Sequence, residues 1–302
     1  MRDGPHPSAP IGIFDSGVGG LSVQRAIRRL LPAEMLVYLA DQAHVPYGSR
    51  SLGQVCEFAL EITRFLLGRT QGASRRELAA NWLGVKLIVV ACNTASAAAL
   101  TSLRQAFPEV PFVGMEPAVK PAAEQTRSGV VGVLATPATF QGELYASVVE
   151  RFAQGVTLLT DTCPGLVAQI EDGKLESDEA RAILEAALVP MLCRGIDTVV
   201  LGCTHYPFVI PLIQQIVGPG VRVIDPAPAV ARQVARVLMA HGLVQSAAAD
   251  KPAIYLTTGS APRLQALLPA LIGEAGPVQA VHWDRGRLQP QLAELPFDLD
   301  AQ

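Results

Sequence analysis

The chain has 302 residues, half of them hydrophobic, and a formal net charge of −3. That is enough chain for two α/β domains around a sizeable core, and a near-neutral chain without a basic block gives nucleic acid nothing to bind, since Arg28-Arg29 and Arg75-Arg76 read as ordinary helix-surface pairs. Cysteines at 56, 92, 163, 193 and 203 form no C-x-x-C pair, so neither a zinc module nor a disulfide framework is indicated, a reducing cytosolic setting is expected, and no apolar run reaches membrane-spanning length.

Residues 1–10, MRDGPHPSAP, are polar and Pro-rich and read as a loose leader without a signal-peptide core. Ile11–Asp15 is the first expected strand, followed by Ser16-Gly17-Val18-Gly19-Gly20 and a helix over 21–31 that stops at Pro32. This loop matches neither the dinucleotide fingerprint nor the phosphate loop with its Lys, so its glycines are expected to bring backbone close to a small ligand. Asp15 would repel a phosphate and suits a base, a base-orienting group or an acceptor for an ammonium. A strand over 35–39 leads to a loop over 40–51 holding the turn Pro46-Tyr47-Gly48. Helices over 52–67 and 75–83 precede the strand over 87–90. A helix to Phe107, a strand over 112–115 and a helix over 118–125 come next.

A strand over 130–134 then ends at an exit loop with Thr136 and Thr139, followed by a helix over 140–152, a strand over 156–159 and a helix over 164–171. The helix over 177–192 opens on a Ser cap and an acidic first turn. Past the strand over 198–202, helices over 207–217 and 228–241 flank a strand over 221–224. Residues 247–250 read as a linker, and 254–257, 261–271 and 278–283 as a last strand–helix–strand unit. From Asp284 the tail is polar and Pro-containing.

Two stretches organise this layout. LIVVACNTAS (87–96) is a buried-type strand ending at Cys92 where a helix begins, and TVVLGCTHYP (198–207) repeats the construction around Cys203. IGIFDS (11–16) and VGVLAT (131–136) echo each other in the same way, each ending on a hydroxyl residue, at a similar offset along the chain. The expectation is two doubly wound α/β domains of related topology with the site in the cleft between them. A thiol at the start of a helix is expected to ionise more readily than a free one, whose pKa is about 8.5. Cys56, Cys163 and Cys193 lack this setting and read as small hydrophobes.

Two thiols reaching one carbon from opposite sides can take a proton from one face and return another to the other, which inverts a stereocentre. Each needs a neighbour that sets its protonation state; Asp15 and His205 are placed for that. Lys86, Lys120, Lys174 and Lys251 lie outside these loops, which argues against pyridoxal phosphate. The remaining means of stabilising a carbanion is electrostatic: helix N-termini and Ser16, Asn93, Thr94, Thr136, Thr139 and Thr204 around a carboxylate.

DSGVGG (15–20), PYG followed by Arg50 (46–50), ACNTAS (91–96) and GCTHYP (202–207), in this order, resemble the glutamate racemases of the cofactor-independent aspartate/glutamate racemase family; TTG at 257–259 extends the likeness weakly. The resemblance implies conversion of L-glutamate to D-glutamate for peptidoglycan synthesis in the bacterial cytoplasm, with no cofactor and no metal, and a homodimer; no membrane or nucleic-acid partner is expected from the sequence itself. It implies a chain that returns to its first domain after the second, a division expected as 11–97 plus 212–302 for the first domain and 98–211 for the second. It implies Cys92 and Cys203 as the acid/base pair, assisted by Asp15, His205 and Glu171, although CPGLVAQIEDG around Glu171 departs from the family's run. It implies substrate binding by Asp15, Ser16, Tyr47, Gly48, Asn93, Thr94, Thr136, Thr139, Thr204 and His205. Other readings on the same scaffold are a racemase or isomerase of aspartate, hydantoin or maleate, and a gyrase-binding regulatory homologue.

Overall fold

A computed structural model describes residues 6–69, 84–245 and 253–290. The expected helix over 75–83, the linker over 247–250, the start of the leader and the end of the tail lie outside the described residues.

Strands β1 (Ile11–Asp15), β2 (Leu36–Ala40) and β3 (Leu87–Val90) are buried along their whole length. Parallel strands covered on both faces need such unbroken apolar runs. Helices α1 (Leu21–Leu30), α2 (Leu52–Leu66) and α3 (Asn93–Ala106) connect them onward, and β4 (Phe112–Val113) adds to β3. Ser51 and Gln54 form a reciprocal cap that fixes the start of α2. After α4 (Val119–Gln125) the pattern restarts with β5 (Val130–Ala135), α5 (Pro137–Gln141), α6 (Glu143–Phe152), β6 (Thr157–Asp161), α7 (Leu166–Glu171), α8 (Asp178–Cys193) and β7 (Thr198–Gly202). A 3-10 turn over Tyr206–Val209 leads to α9 (Ile210–Val217), β8 (Arg222–Ile224) and α10 (Ala227–Ala240). The chain closes with β9 (Ile254–Thr257), α11 (Ala261–Ile272), β10 (Val278–Asp284) and β11 (Arg287–Pro290).

The larger sheet runs β11-β10-β9-β2-β1-β3-β4 and the smaller β6-β5-β7-β8. The order β2-β1-β3-β4 is therefore repeated as β6-β5-β7-β8, strand for strand, which is the topology the paired motifs called for. In each half the chain leaves the first strand toward one side and returns on the other, so a crevice opens at the carboxyl ends of β1 and β3, and again of β5 and β7. Cys92 follows β3 and Cys203 follows β7. One apolar cluster runs from Ile13, Val18 and Leu21 of the first half to Leu134, Leu166 and Leu201 of the second. This continuous core presses the two crevices against each other. Phe112–Val113 pairs with β3 in the larger sheet and Arg222–Ile224 with β7 in the smaller. Both strands thus fall on the far side of the divisions expected at 98 and 211.

Three local features differ from the sequence expectation. The helix expected over 140–152 starts earlier, because Thr136 caps it and Pro137 suits its first turn, and it breaks at the extended Gly142. A Cβ on Gly142 would come within 2.7 Å of the Ala97 Cβ, so α3 and α5 touch through that glycine. The helix expected from Pro207 begins as the 3-10 turn. The tail from Asp284 enters a hairpin: β10 pairs antiparallel with β11, and both loop residues, Arg285 (φ 45°) and Gly286 (φ 74°), have positive φ, as a two-residue hairpin loop requires. Arginine in that position carries no turn signal, which is why the sequence hid it.

Candidate active site

One small cavity lies where the two crevices meet. Ser16, Tyr47, Gly48, Cys92, Asn93, Thr94, Thr136, Cys203, Thr204 and His205 line it, joined by Pro46 and Val167. Its free volume of about 20 Å³ holds roughly one water molecule, so the cavity is narrow. Pro46 and Val167 also line a neighbouring hollow of about 340 Å³ together with Gln42, Glu171, Ser260 and Arg263. These two residues are shared by the narrow cavity and the outer hollow.

The first wall is built at the end of β1 and the start of α3. Cys92 is the N-cap of α3, its Sγ accepting the Ala95 N–H at 3.5 Å. Asp15 is fully buried; its carboxylate accepts the Gly20 N–H at 2.6 Å and faces the hydroxyls of Ser16 and Thr204, each at 3.4 Å. Burial pushes the Asp15 carboxyl up from its ordinary range, against the attraction of His205. Burial, and then the Asp15 carboxylate, push the Cys92 thiol well up. The helix-terminal N–H of Ala95 acts the other way and is outweighed, so the expectation of an easily ionised thiol is overturned for Cys92: the site holds it protonated.

The opposite wall is a chain of charge. His205 follows β7 by three residues, and its Nδ1 lies 3.7 Å from Cys203 Sγ. Its Nε2 is 2.6 Å from Glu171 Oε1. Burial disfavours the charged ring, but the hydrogen bonds to Cys203 and Glu171 more than reverse that and hold the imidazole well above its usual range. Burial works equally against the Glu171 carboxylate, yet hydrogen bonds from His205, from Gln42 Nε2 at 2.9 Å and from the Val18 N–H at 2.7 Å keep it below its ordinary value. An imidazolium thus sits between Glu171 and the second sulfur. Close packing leaves this arm no slack: a Cβ on Gly17 would come within 1.8 Å of Glu171 Oε1, and one on Gly19 within 2.4 Å of His205 Nδ1.

Neutral donors complete the cavity. Thr94 Oγ1 and Thr136 Oγ1 are 2.9 Å apart, and Thr136 and Thr139 hydroxyls likewise. Both polar ends of the buried Asn93 amide lack a partner among the described residues, an arrangement that costs stability unless a ligand meets them. Asp15, Thr139 and Glu171, expected at the site, do not line the cavity; they stand one bond behind it, against Gly20 and Thr204, Thr136, and His205 respectively. Sequence reasoning passed over Val167, Gln42 and Asp41. Asp41 is fully buried and accepts the Tyr47 hydroxyl at 2.6 Å. A second acid just after a strand, beside a turn already singled out, was the available signal.

The Asp/Glu/Hydantoin racemase family model matches residues 11–234. A glutamate racemase of Roseiflexus sp. (strain RS-1) is 50% identical over 87% of this chain and 92% of its own length. Among solved structures, a glutamate racemase isoform from Bacillus anthracis superposes with a TM-score of 0.78 at 30% identity, over 93% of this chain and 100% of that one. Escherichia coli glutamate racemase, solved with L-glutamate and the activator UDP-MurNAc-ala, gives 0.75 at 33% identity, over 90% and 97%.

Proposed function

The chain belongs to the Asp/Glu/hydantoin racemase family, and we propose that it interconverts L- and D-glutamate with Cys92 and Cys203 as opposed acid and base. The observation that carries this reading is the placement of two sulfurs at equivalent edges of two like-ordered sheets, both opening on one cavity. The glutamate racemases similar over most of the chain supply the substrate.

The step balances without a helper molecule. One sulfur, as thiolate, takes the α-proton; the C–H electron pair moves toward the substrate carboxylate; the other sulfur, as thiol, delivers its proton to the opposite face. Afterwards the two sulfurs have exchanged protonation states, which is the starting point for the reverse enantiomer. The α-carbanion needs charge stabilisation as it forms. The N-terminus of α3, the Asn93 amide and the hydroxyls of Thr94, Thr136 and Thr204 offer pre-oriented donors inside a narrow, largely buried site. His205, charged by Glu171, donates to Cys203, while Asp15 accompanies Cys92. Ser16, Tyr47, Gly48 and Thr139 complete the binding shell, through Thr136 in the last case. We also assign the product to peptidoglycan synthesis in the cytoplasm and the assembly to a homodimer, following the family resemblance. Among the described residues no helix is long and apolar enough to cross a membrane.

The test is α-proton exchange in D₂O with each glutamate enantiomer, comparing Cys92→Ala and Cys203→Ala. Each variant is expected to lose exchange from one enantiomer and to keep it from the other. Equal exchange in both variants would refute opposed bases, and turnover of aspartate but not glutamate would refute the substrate.

A further inference from the structure

We propose that the Thr257-Thr258 turn at the end of β9 is a positioning element for this reaction, holding Glu171 through Gln42 and Tyr47 through Asp41. The turn lies beyond the residues the family model covers, 11–234, and no chemistry has yet been given to it.

The first branch is a directed chain of hydrogen bonds. Thr257 Oγ1 accepts the Gly259 N–H at 2.9 Å, which leaves its own proton free for Gln42 Oε1 at 2.8 Å. With Oε1 turned toward Thr257, the Gln42 amide presents Nε2 to Glu171 Oε2 at 2.9 Å. A carboxylate only accepts, so this is the one orientation of the amide that satisfies both neighbours. Glu171 Oε1 then meets His205, and His205 meets Cys203. Gly259 closes the turn against the same side chain: a Cβ there would lie 2.8 Å from the Gln42 Cβ.

The second branch reaches the other part of the cavity. Thr258 Oγ1 donates to Asp41 Oδ1 at 2.8 Å and accepts the Ala43 N–H at 2.9 Å, while the Thr258 N–H donates to Ala40 O at 3.0 Å. Trp283 Nε1, from β10, donates to the same Asp41 oxygen at 2.7 Å. The opposite oxygen, Oδ2, takes the Tyr47 hydroxyl at 2.6 Å and faces His44 Nδ1 at 2.9 Å. Among the described residues, each hydrogen-bond partner of the buried Asp41 carboxylate comes either from the Tyr47 loop or from the C-terminal strands. The last part of the chain therefore fixes the loop after β2, which carries Asp41, Gln42 and Tyr47.

This inference rests on the reading of Cys203 as an acid/base group, and isotope effects separate the two. Enantiomers are equal in free energy, so kcat/KM for unlabelled L- and D-glutamate must agree in every variant, and only labelled substrate can show which proton transfer has slowed. The measurement is the primary isotope effect on kcat/KM with each α-deuterated enantiomer, for wild type, Thr257→Val, Thr257→Ser and Gln42→Leu. In Thr257→Val and Gln42→Leu, kcat/KM is expected to fall about 10- to 100-fold, the scale of an ångström of misplacement. The isotope effect should rise for the enantiomer deprotonated by Cys203 and fall toward unity for the other; Thr257→Ser, which keeps the hydroxyl, should restore the wild-type pair of values. Thr258→Val is expected to raise KM for both enantiomers several-fold through Tyr47. Isotope effects that move together or not at all in Thr257→Val overturn the Glu171 branch, and an unchanged KM in Thr258→Val overturns the Tyr47 branch. A wild-type protein that does not racemise glutamate overturns the underlying reading instead.

Discussion

Replacing Glu171 by Gln removes one negative charge from a buried chain and little volume. His205 is charged in the folded protein because Glu171 Oε1, 2.6 Å from Nε2, and Cys203 offset the burial of the ring. A hydrogen bond to a charged group contributes about 1.5–3 kcal/mol. Its loss should therefore lower the His205 pKa. The sign follows from which form is active. The imidazolium is the donor to Cys203, so activity that depends on it is present at lower pH and is lost as pH rises through the His205 pKa. In Glu171→Gln the alkaline limb of kcat/KM should therefore move to lower pH. The same linkage acts on stability: the His205 contribution is complete below the unfolded imidazole pKa and is lost as pH rises through the raised folded value.

Polarimetry or circular dichroism of the glutamate signal over a pH series measures that limb directly. Glu171→Asp is the companion variant, because it keeps the charge at a shorter reach and should hold the limb nearer to wild type. The substituted Gln also turns a donor toward Gln42 Nε2, so part of the rate loss will come from the Gln42 amide and not from His205. The position of the limb distinguishes the two: a rate that falls with the limb unmoved would show that Glu171 does not act by charging His205.

Three further outcomes follow from the same geometry. Gly17→Ala puts a Cβ 1.8 Å from Glu171 Oε1, so the carboxylate must leave His205; kcat/KM should drop about 100-fold or more with the circular dichroism of the fold retained. Asn93→Ala removes an amide with no partner among the described residues, so Tm should not fall below wild type while KM for glutamate rises, and a lowered Tm with unchanged KM would contradict its role as a ligand donor. Asp15→Asn removes a carboxyl that burial pushes up; ionising it costs stability above its folded pKa, so the variant should melt higher than wild type at pH 7, by a margin that shrinks toward the acid range, and should be inactive.

The sequence carried the frame because its signals are of the kind that survive without tertiary context. All-apolar runs such as LIVV and TVVLG mark covered parallel strands, and the strand-end positions of Ser16, Cys92, Thr136 and Cys203 followed from them. What it could not carry was set by contacts between distant segments. The elevated Cys92 thiol depends first on its own burial and then on the Asp15 carboxylate beside it, which no local pattern encodes. Gln42 and Asp41 acquire their roles only when β9 pairs with β2 and brings Thr257 and Thr258 alongside. The membership of Phe112–Val113 in the larger sheet likewise depends on pairing across a crossover, so a division that follows the family resemblance fell one strand short at both ends.

The repeat supplies positions but not chemistry. Asp15 stands at the end of β1 just before Ser16; the equivalent place in the second half, before Thr136, is Ala135. His205 stands two residues after Cys203; the equivalent place after Cys92 is Thr94. Each helper thus occurs once, on opposite sides, and the two sulfurs face unlike partners: a carboxylate that adds to burial in keeping Cys92 protonated, and an imidazolium that donates to Cys203. Such a site cannot favour either enantiomer overall, because their free energies are equal and kcat/KM must match in both directions. At saturation kcat and KM can differ between L- and D-glutamate only by a common factor, which reports how unequally the two enantiomers are held. Both enantiomers cross the same two proton-transfer barriers in opposite order, so the barriers are compared by the primary isotope effects of the two α-deuterated substrates, and equal effects would mean that the unlike helpers do not set the two barriers apart.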